Sequence, residues 1–491
     1  MEIAERIRLL TVPPSASVRQ AMQAIEAGAL GVVVVTEVKS GRFLALLTDG
    51  DIRRALLQGL GLESPLELIP HPKSTVARAG TPREEIVRLF SEAIRVVPVL
   101  DESDCVIDLA LFDRRAHLPV AQPVLGEREL VYVTECILSG WISSTGRFVG
   151  EFEQRCADYC GVPHAISTSN GTTALHLALL VLGIGPGDEV IVPTLTFIAS
   201  ANAVTYTGAT SVFVDSEPVT WNLDAAAVER AITPRTKAIM AVHLYGHPAD
   251  MRALRTICDR HKLFLVEDAA EAFGATLHGE RAGSLGDIAT FSFFGNKIIT
   301  TGEGGMVMTA DKKLADQCRV LRDHGMSPHR RYWHPVLGYN YRMTNLQAAV
   351  GVGQIEKIDM IVSAKRRIAA QYQVALGGVP GVWLPREPQD AESVFWLNSI
   401  CIEPAVFGVD RDAVMAELKK AGIETRPVFP VLHRQPIYAA GPHVPMPVAE
   451  KISAQGLSLP SDASLSATEI QRVAEALKEI QLAATCSPSS R

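Results

Sequence analysis

The sequence predicts an α/β protein: a body on a mainly parallel sheet, a smaller α+β domain after it, and a separate small domain before it. Three observations carry this. Beyond about residue 120, helical stretches alternate with short β-rich runs, as in a parallel sheet with helical crossovers. Beyond about residue 380 the order changes to strand, helix and a long final helix, the pattern of a compact α+β domain. The first ~115 residues carry a doubled motif of their own. A chain of 491 residues exceeds one ordinary core and predicts two or three domains. We place them at 1–116, a linker at 117–124, a large domain at 125–380 and a small one at 381–491.

The doubled motif runs helix, strand, strand, helix. Its first copy has helical period over Val18–Ala27, β-branched runs at Val32–Thr36 and Phe43–Leu47, and then Thr48-Asp49-Gly50-Asp51 opening a helix. The second has Arg83–Ala93, Val96–Leu100, Cys105–Leu111 and Asp113-Arg114-Arg115. The region resembles a pair of CBS modules, regulatory units that often bind adenine nucleotides. The resemblance makes Thr48 and Asp51 a nucleotide effector site, with the hydroxyl and carboxylate on a ribose. Thr and Asp are also the residues that ordinarily cap a helix. In the second copy, Phe112 falls where Thr48 would align.

Two prolines, Pro119 and Pro123, mark the linker as extended chain. Glu127–Leu138 follows as a helix, and Trp141–Arg147 as a loop. In the body, helices are predicted at Thr172–Leu182, Ala199–Thr205 and Met251–His261. Strands are predicted at Glu189–Val192, Ser211–Val214, Ala238–Leu244 and Leu263–Val266. The last domain has a strand at Ser399–Ile402 and helices at Arg411–Ala421 and Ala467–Leu482.

Composition narrows the function. Hydrophobic residues are 47% and charged residues 21%, the balance of a folded globular chain. A net charge of −7 without a basic run disfavours nucleic acid as a partner. Eight cysteines show no CxxC pair; Cys156 and Cys160 could share a helix face, but no companion ligands follow. We expect free thiols of a reducing cytosol and no metal. Glu2 and Glu5 are not the basic start of a signal peptide, and the longest apolar stretch, around Leu175–Leu182, is too short for a bilayer. A cytoplasmic protein without a membrane partner is expected.

Lys297 is the most telling residue. It ends Phe-Ser-Phe-Phe-Gly-Asn-Lys and is followed by Ile298, Ile299 and a glycine-rich turn, so its surroundings are apolar. Upstream, the run Leu263–Val266 leads into Glu267 and Asp268. An amine able to form a Schiff base and a carboxylate to hold a pyridinium nitrogen are what pyridoxal phosphate chemistry asks for. By pattern alone either acid could serve. Ser169-Asn170-Gly171-Thr172-Thr173 opens an apolar helix, whose free amides suit a phosphate. Phe197 follows a strand and could stack on a flat ring or lie in the core. Ser292, five residues before the lysine, could donate to the phosphate.

The stretches SNGTTALHLAL, GDEVIVPTLTFIASANAV, VHLYGHPADM, VEDAAEAFGA, GDIATFSFFGNKIITTGEGG and GYNYRMTNLQAA resemble the DegT/StrS family of nucleotide-sugar aminotransferases, over residues ~120–485. The resemblance implies the aspartate aminotransferase type of fold, fold type I. It makes Lys297 the Schiff-base lysine and Asp268, not Glu267, the partner of the pyridine nitrogen. It places Glu271 near the ring hydroxyl, where many relatives have glutamine, and Phe197 on the ring. Gly171, Thr172 and Ser292 hold the phosphate, joined by Asn340 from the partner subunit across a two-fold interface. Activity then requires a homodimer.

RYWH at 331–334 and TRPVFPVLHRQPIY at 425–438 resemble the subgroup that aminates GDP-4-keto-6-deoxymannose to GDP-perosamine with glutamate as donor. There Arg426 and His433 face the substrate. Phe273 departs from that subgroup, which commonly has histidine at this place. The same reaction on a UDP- or dTDP-keto-sugar is the rival within chemistry. A non-catalytic regulatory protein with an aminotransferase-like body is the rival outside it.

Overall fold

The computed structural model describes residues 3–28, 30–70, 74–82, 85, 86, 89, 90, 94–111, 118–439 and 444–486. The chain divides into two compact units, Met1–His117 and Leu118–Arg491.

The first unit contains two three-stranded sheets of one design. β1 (Thr11–Val12) runs parallel to β2 (Val32–Thr36), which runs antiparallel to β3 (Phe43–Thr48). β4 (Ala77–Arg78), β5 (Val96–Leu100) and β6 (Val106–Leu111) repeat this pairing, down to a register shift at the same place, Val35/Thr36 and Val99/Leu100. Val32 opposes Thr48, and Val96 opposes Leu111. The residue equivalent to Thr48 is therefore Leu111, one place before Phe112, because β3 and β6 are offset by one residue less than β2 and β5. Phe112, Asp113-Arg114-Arg115 and most of Arg83–Ala93 lie outside the described residues. Val18, Ala21, Val33, Val35, Leu47 and Ile52 form the core of the first half.

The body of the second unit is a seven-stranded sheet in the order β7-β15-β14-β11-β10-β8-β9. The strands are β7 (His164–Thr168), β8 (Glu189–Pro193), β9 (Thr210–Val214), β10 (Thr236–Val242), β11 (Phe264–Asp268), β14 (Ile288–Ser292) and β15 (Gly305–Thr309). Only β15 runs against the others. A short antiparallel pair, β12 (Thr276–Leu277) and β13 (Glu280–Arg281), lies between β11 and β14 in sequence.

Side chains alternate across this sheet. Val190, Val192, Met240 and Val266 share a core with Ala174, Leu177 and Ala178 of helix Gly171–Val181. Ile191, Ile239, Ala241 and Leu265 share another with Met251, Leu254 and Cys258 of helix Met251–His261. Each buried Val, Leu, Ile or Met among them contributes roughly 1.5–3 kcal/mol, so the sheet's two faces fix its register.

The C-terminal part has β16 (Val382–Trp383), β17 (Ala391–Glu392), β18 (Asn398–Ile402), β19 (Arg426–Pro427) and β20 (Gly456–Leu459). β16, β18, β20 and β19 form a four-stranded sheet, and β17 joins β12.

Four features differ from the sequence expectation. The stretch expected as a linker is docked from Leu118 on. Leu118 is buried and its amide donates to Gly422 O, while Val120 N donates to Glu424 Oε2. Its prolines keep it extended, and extended chain can bond along a neighbour. A helix, Arg147–Cys160, follows the predicted loop and buries both Cys156 and Cys160. β10 ends at Val242, so Leu244 falls in a single 3₁₀ turn. β11 extends to Asp268, which places both acids inside the strand.

Candidate active site

The carboxyl ends of β7, β8, β10, β11 and β14 open into one cleft of about 710 Å³. Its lining includes Gly171, Thr172, Phe197, Asp268, Glu271, Ser292, Lys297 and Arg426. Parallel sheets present ligands at this edge because the loops leaving the strands converge there.

β11 settles which acid faces the cleft. Successive side chains on a strand point to opposite faces. Glu267 points away and is fully buried, accepting from the backbone amides of Gly283 (2.8 Å), Leu285 (2.7 Å) and Gly286 (2.6 Å). Its fourth partner is His243, whose Nε2 lies 3.0 Å away. Because Ala249 N donates to His243 Nδ1, the ring proton sits on Nε2 and points at Glu267. Asp268 lines the cleft and accepts from Ser200 Oγ (2.7 Å) and Ala270 N (3.2 Å). Burial pushes its carboxyl above the usual range; those two bonds and the charge of Lys297 oppose the rise.

Lys297 follows β14 in a turn closed by its own amide on Phe294 O, at 3.0 Å. Its Nζ stands 3.5 Å from Glu271 Oε1 and 3.7 Å from the centre of the Trp396 ring. Burial pushes the amine below its ordinary value, and Glu271 and Asp268 oppose this. Glu271 is raised by its own burial and held down by Lys297. Its other oxygen accepts from Tyr245 N at 2.7 Å. Tyr245 sits at φ 53°, a left-handed conformation costing about 1–3 kcal/mol for a non-glycine residue. That bond and stacking between Trp396 (6.1 Å) and Phe429 (5.3 Å) hold it there.

Helix Gly171–Val181 begins at the cleft. Asn170 caps it, accepting from Thr173 N at 2.9 Å, and the Thr173 hydroxyl is turned back onto Asn170 O. The amides of Gly171 and Thr172 stand too early in the helix for an intrahelical partner. A Cβ on Gly171 would lie 2.7 Å from Ser292 Cβ, so only glycine lets helix and β14 approach this closely. Phe197 is 56% exposed, with its ring 5.8 Å from Phe429, so it is not a core residue.

Three residues singled out in the sequence lie outside this chain's own cleft, and of them only His433 was expected inside it. His433 does not line the cleft: it is buried, with Nδ1 on the Thr194 hydroxyl (2.7 Å) and Nε2 on Glu450 (3.0 Å). Both ring nitrogens are thereby engaged, Nδ1 with the residue that follows β8 and Nε2 with helix Pro447–Gln455. Asn340 is exposed and bridges to Asp323, outside its own chain's cleft. Phe273 is core, packed on Tyr159, Phe291 and Phe293. Ser200, Tyr245 and Trp396 join the site without having been expected. Ser200 had a signal: a lone hydroxyl three residues past Phe197 in an otherwise small, apolar helix start. Trp396 had none, being brought 99 positions back to Lys297 by the fold.

This arrangement of amine, acid and helix start belongs to a class the sequence also identifies. Residues 123–478 match the DegT/DnrJ/EryC1/StrS aminotransferase family, and residues 3–58 match the CBS domain. The chain belongs to the DegT/DnrJ/EryC1/StrS aminotransferase family. Among its relatives, it is 52% identical to the GDP-perosamine synthase of Caulobacter vibrioides over 365 residues, 74% of this chain and 98% of that one. It is 48% identical to the GDP-perosamine synthase of Escherichia coli O157:H7 over 363 residues, again 74% and 98%. Among solved structures, DesV of S. venezuelae matches with a TM-score of 0.68 and 41% identity, over 72% of this chain and 94% of that one.

Proposed function

We propose that this aminotransferase uses pyridoxal phosphate to move the amino group of glutamate onto the C4 carbonyl of GDP-4-keto-6-deoxymannose, giving GDP-perosamine. The observation that carries the reading is the convergence of a buried amine, a buried carboxylate and a helix start on one cleft. The identity to two GDP-perosamine synthases supports the sugar nucleotide.

The residues present fit this cofactor. The close approach of Gly171 to Ser292 leaves two helix amides and a hydroxyl around one point, a cradle for a phosphate. When bound, pyridoxal phosphate supplies an electron sink for the bond broken at the amino-bearing carbon. Lys297 would hold it covalently and, once released, move a proton between substrate and cofactor carbons. Asp268 would pair with the ring nitrogen and keep it protonated. Glu271 would meet the ring hydroxyl, Phe197 would cover the ring, and Thr172 and Ser292 would bind the phosphate. Arg426, half exposed at the rim, would meet a diphosphate or the donor carboxylate.

Asn340, exposed and outside its own cleft, would complete the partner's phosphate site in a homodimer. We further propose a large domain over 125–380, a small one over 381–491, and an adenine-nucleotide effector at Thr48 and Asp51. Among the described residues no helix is long and apolar enough to cross a membrane; a cytoplasmic location is part of the proposal.

The test is to incubate the pure, cofactor-saturated protein with glutamate and a panel of GDP-, UDP- and dTDP-4-keto-sugars, and to weigh the products. Amination of the GDP sugar supports the proposal. Amination of a UDP or dTDP sugar alone overturns the substrate, and no amination overturns the activity.

A further inference from the structure

Asp268 is oriented by a hydroxyl that belongs to neither the lysine loop nor the phosphate cradle. Ser200 stands in the first turn of helix Ala199–Tyr206, 1% exposed, and donates to Asp268 Oδ2 at 2.7 Å. Thr196, also buried, has its Oγ1 3.2 Å from Ser200 Oγ. A serine hydroxyl has one hydrogen. Since Asp268 takes it, Thr196 is the donor in that second bond, and the chain runs Thr196 to Ser200 to Asp268. Both hydroxyls come from the segment after β8, whereas Asp268 ends β11, so the contact ties two strand ends together.

We propose that Ser200, backed by Thr196, is a positioning residue that fixes the plane of the Asp268 carboxylate and keeps it ionised for the cofactor's ring nitrogen. Three facts lead there. The bond is short and buried, where a hydrogen bond to a charged group is strong. It accounts, with Ala270 N, for two of the carboxylate's four lone-pair sites, leaving the rest for the ring. It also opposes the effect of burial, which drives Asp268 toward its neutral form. A neutral acid would hold a protonated ring nitrogen poorly.

The inference rests on the proposed pairing of Asp268 with the cofactor, and the test separates the two. Pyridoxal phosphate affinity is measured on the full-length apo-protein of wild type, Ser200→Ala, Ser200→Thr and Asp268→Asn by equilibrium dialysis across neutral and acid pH. Loss of one hydrogen bond to a charged group predicts about tenfold weaker binding for Ser200→Ala at neutral pH. The deficit should grow on acidification, because Asp268 without its donor takes up a proton at higher pH. Ser200→Thr, which keeps the hydroxyl, should recover most of the affinity. A merely structural serine would give a deficit independent of pH. Apo-protein melting temperatures check that the variants fold.

Equal affinity for Ser200→Ala and wild type at every pH, with Asp268→Asn impaired, overturns the role of Ser200. Unimpaired Asp268→Asn overturns the pairing itself and the inference with it.

Discussion

Lys297 Nζ rests 3.7 Å from the centre of the Trp396 indole ring, with the Glu271 carboxylate 3.5 Å away. Ring and acid both favour the charged amine, while burial favours the neutral one. Trp396 is itself fixed, since its Nε1 donates to Asn296 O at 2.6 Å, in the residue next to the lysine. The amine is therefore held in place while its proton remains easy to remove.

Replacing Lys297 by alanine is expected to lower turnover by at least 10²–10⁴-fold, about the loss of a positioned proton-transfer group, while the protein still folds. Amination rates and the melting temperature check both halves. In wild type, borohydride reduction followed by peptide mapping should place the cofactor on Lys297.

Glu271→Gln removes a negative charge that favours the ammonium form of Lys297. The amine then loses its proton at lower pH. Only the neutral amine attacks an aldehyde, so the pH profile of cofactor attachment to apo-protein should move toward acid. The absorbance change on mixing, followed across pH, reports it. An unmoved or alkaline-shifted profile contradicts the coupling.

Glu267 and Asp268 are neighbours with opposite duties. Glu267→Ala strips three backbone amides and His243 of a common acceptor and should destabilise the protein by roughly 3 kcal/mol or more. Asp268→Asn should leave the apo-protein's melting temperature nearly unchanged and weaken cofactor binding. Thermal melts of the two apo variants make the comparison.

Gly171→Ala would press a methyl against Ser292, 2.7 Å from its Cβ. The strain of such overpacking is about 1–3 kcal/mol, and it falls on the proposed phosphate cradle. Weaker cofactor binding at little cost to overall folding is expected, measured by dialysis and melting.

In the N-terminal unit, Thr48 and Asp51 form a reciprocal cap: Asp51 N donates to Thr48 Oγ1 at 3.2 Å, and Asp51 Oδ2 accepts from Thr48 N at 2.8 Å. Asp51 also binds Arg54. An adenine nucleotide should bind with measurable heat and raise the melting temperature, and Asp51→Asn should abolish both. Absence of heat and of any shift with AMP, ADP and ATP removes the effector site and leaves the cap.

Much of the framework could be read from residue patterns. Val32–Thr36 and Met251–His261 have the observed bounds because periodicity and flanking turns coincide there. Lys297 was legible from its apolar company. The choice between Glu267 and Asp268 was not, since it depends on β11 running two residues past its apolar part. Trp396 reaches the site through tertiary packing, which local sequence does not encode. His433 was expected at the substrate because its run, residues 425–438, resembles that of the GDP-perosamine subgroup, whereas in the fold Thr194 and Glu450 engage both its nitrogens.

The two halves of the N-terminal unit share strand pairing and register, but Leu111 stands where Thr48 stands. Among the described residues, a guest that needs a hydroxyl at that point has one berth in each polypeptide. Titration should saturate at a single molar equivalent, and a binding curve without cooperativity inside the chain follows from that asymmetry.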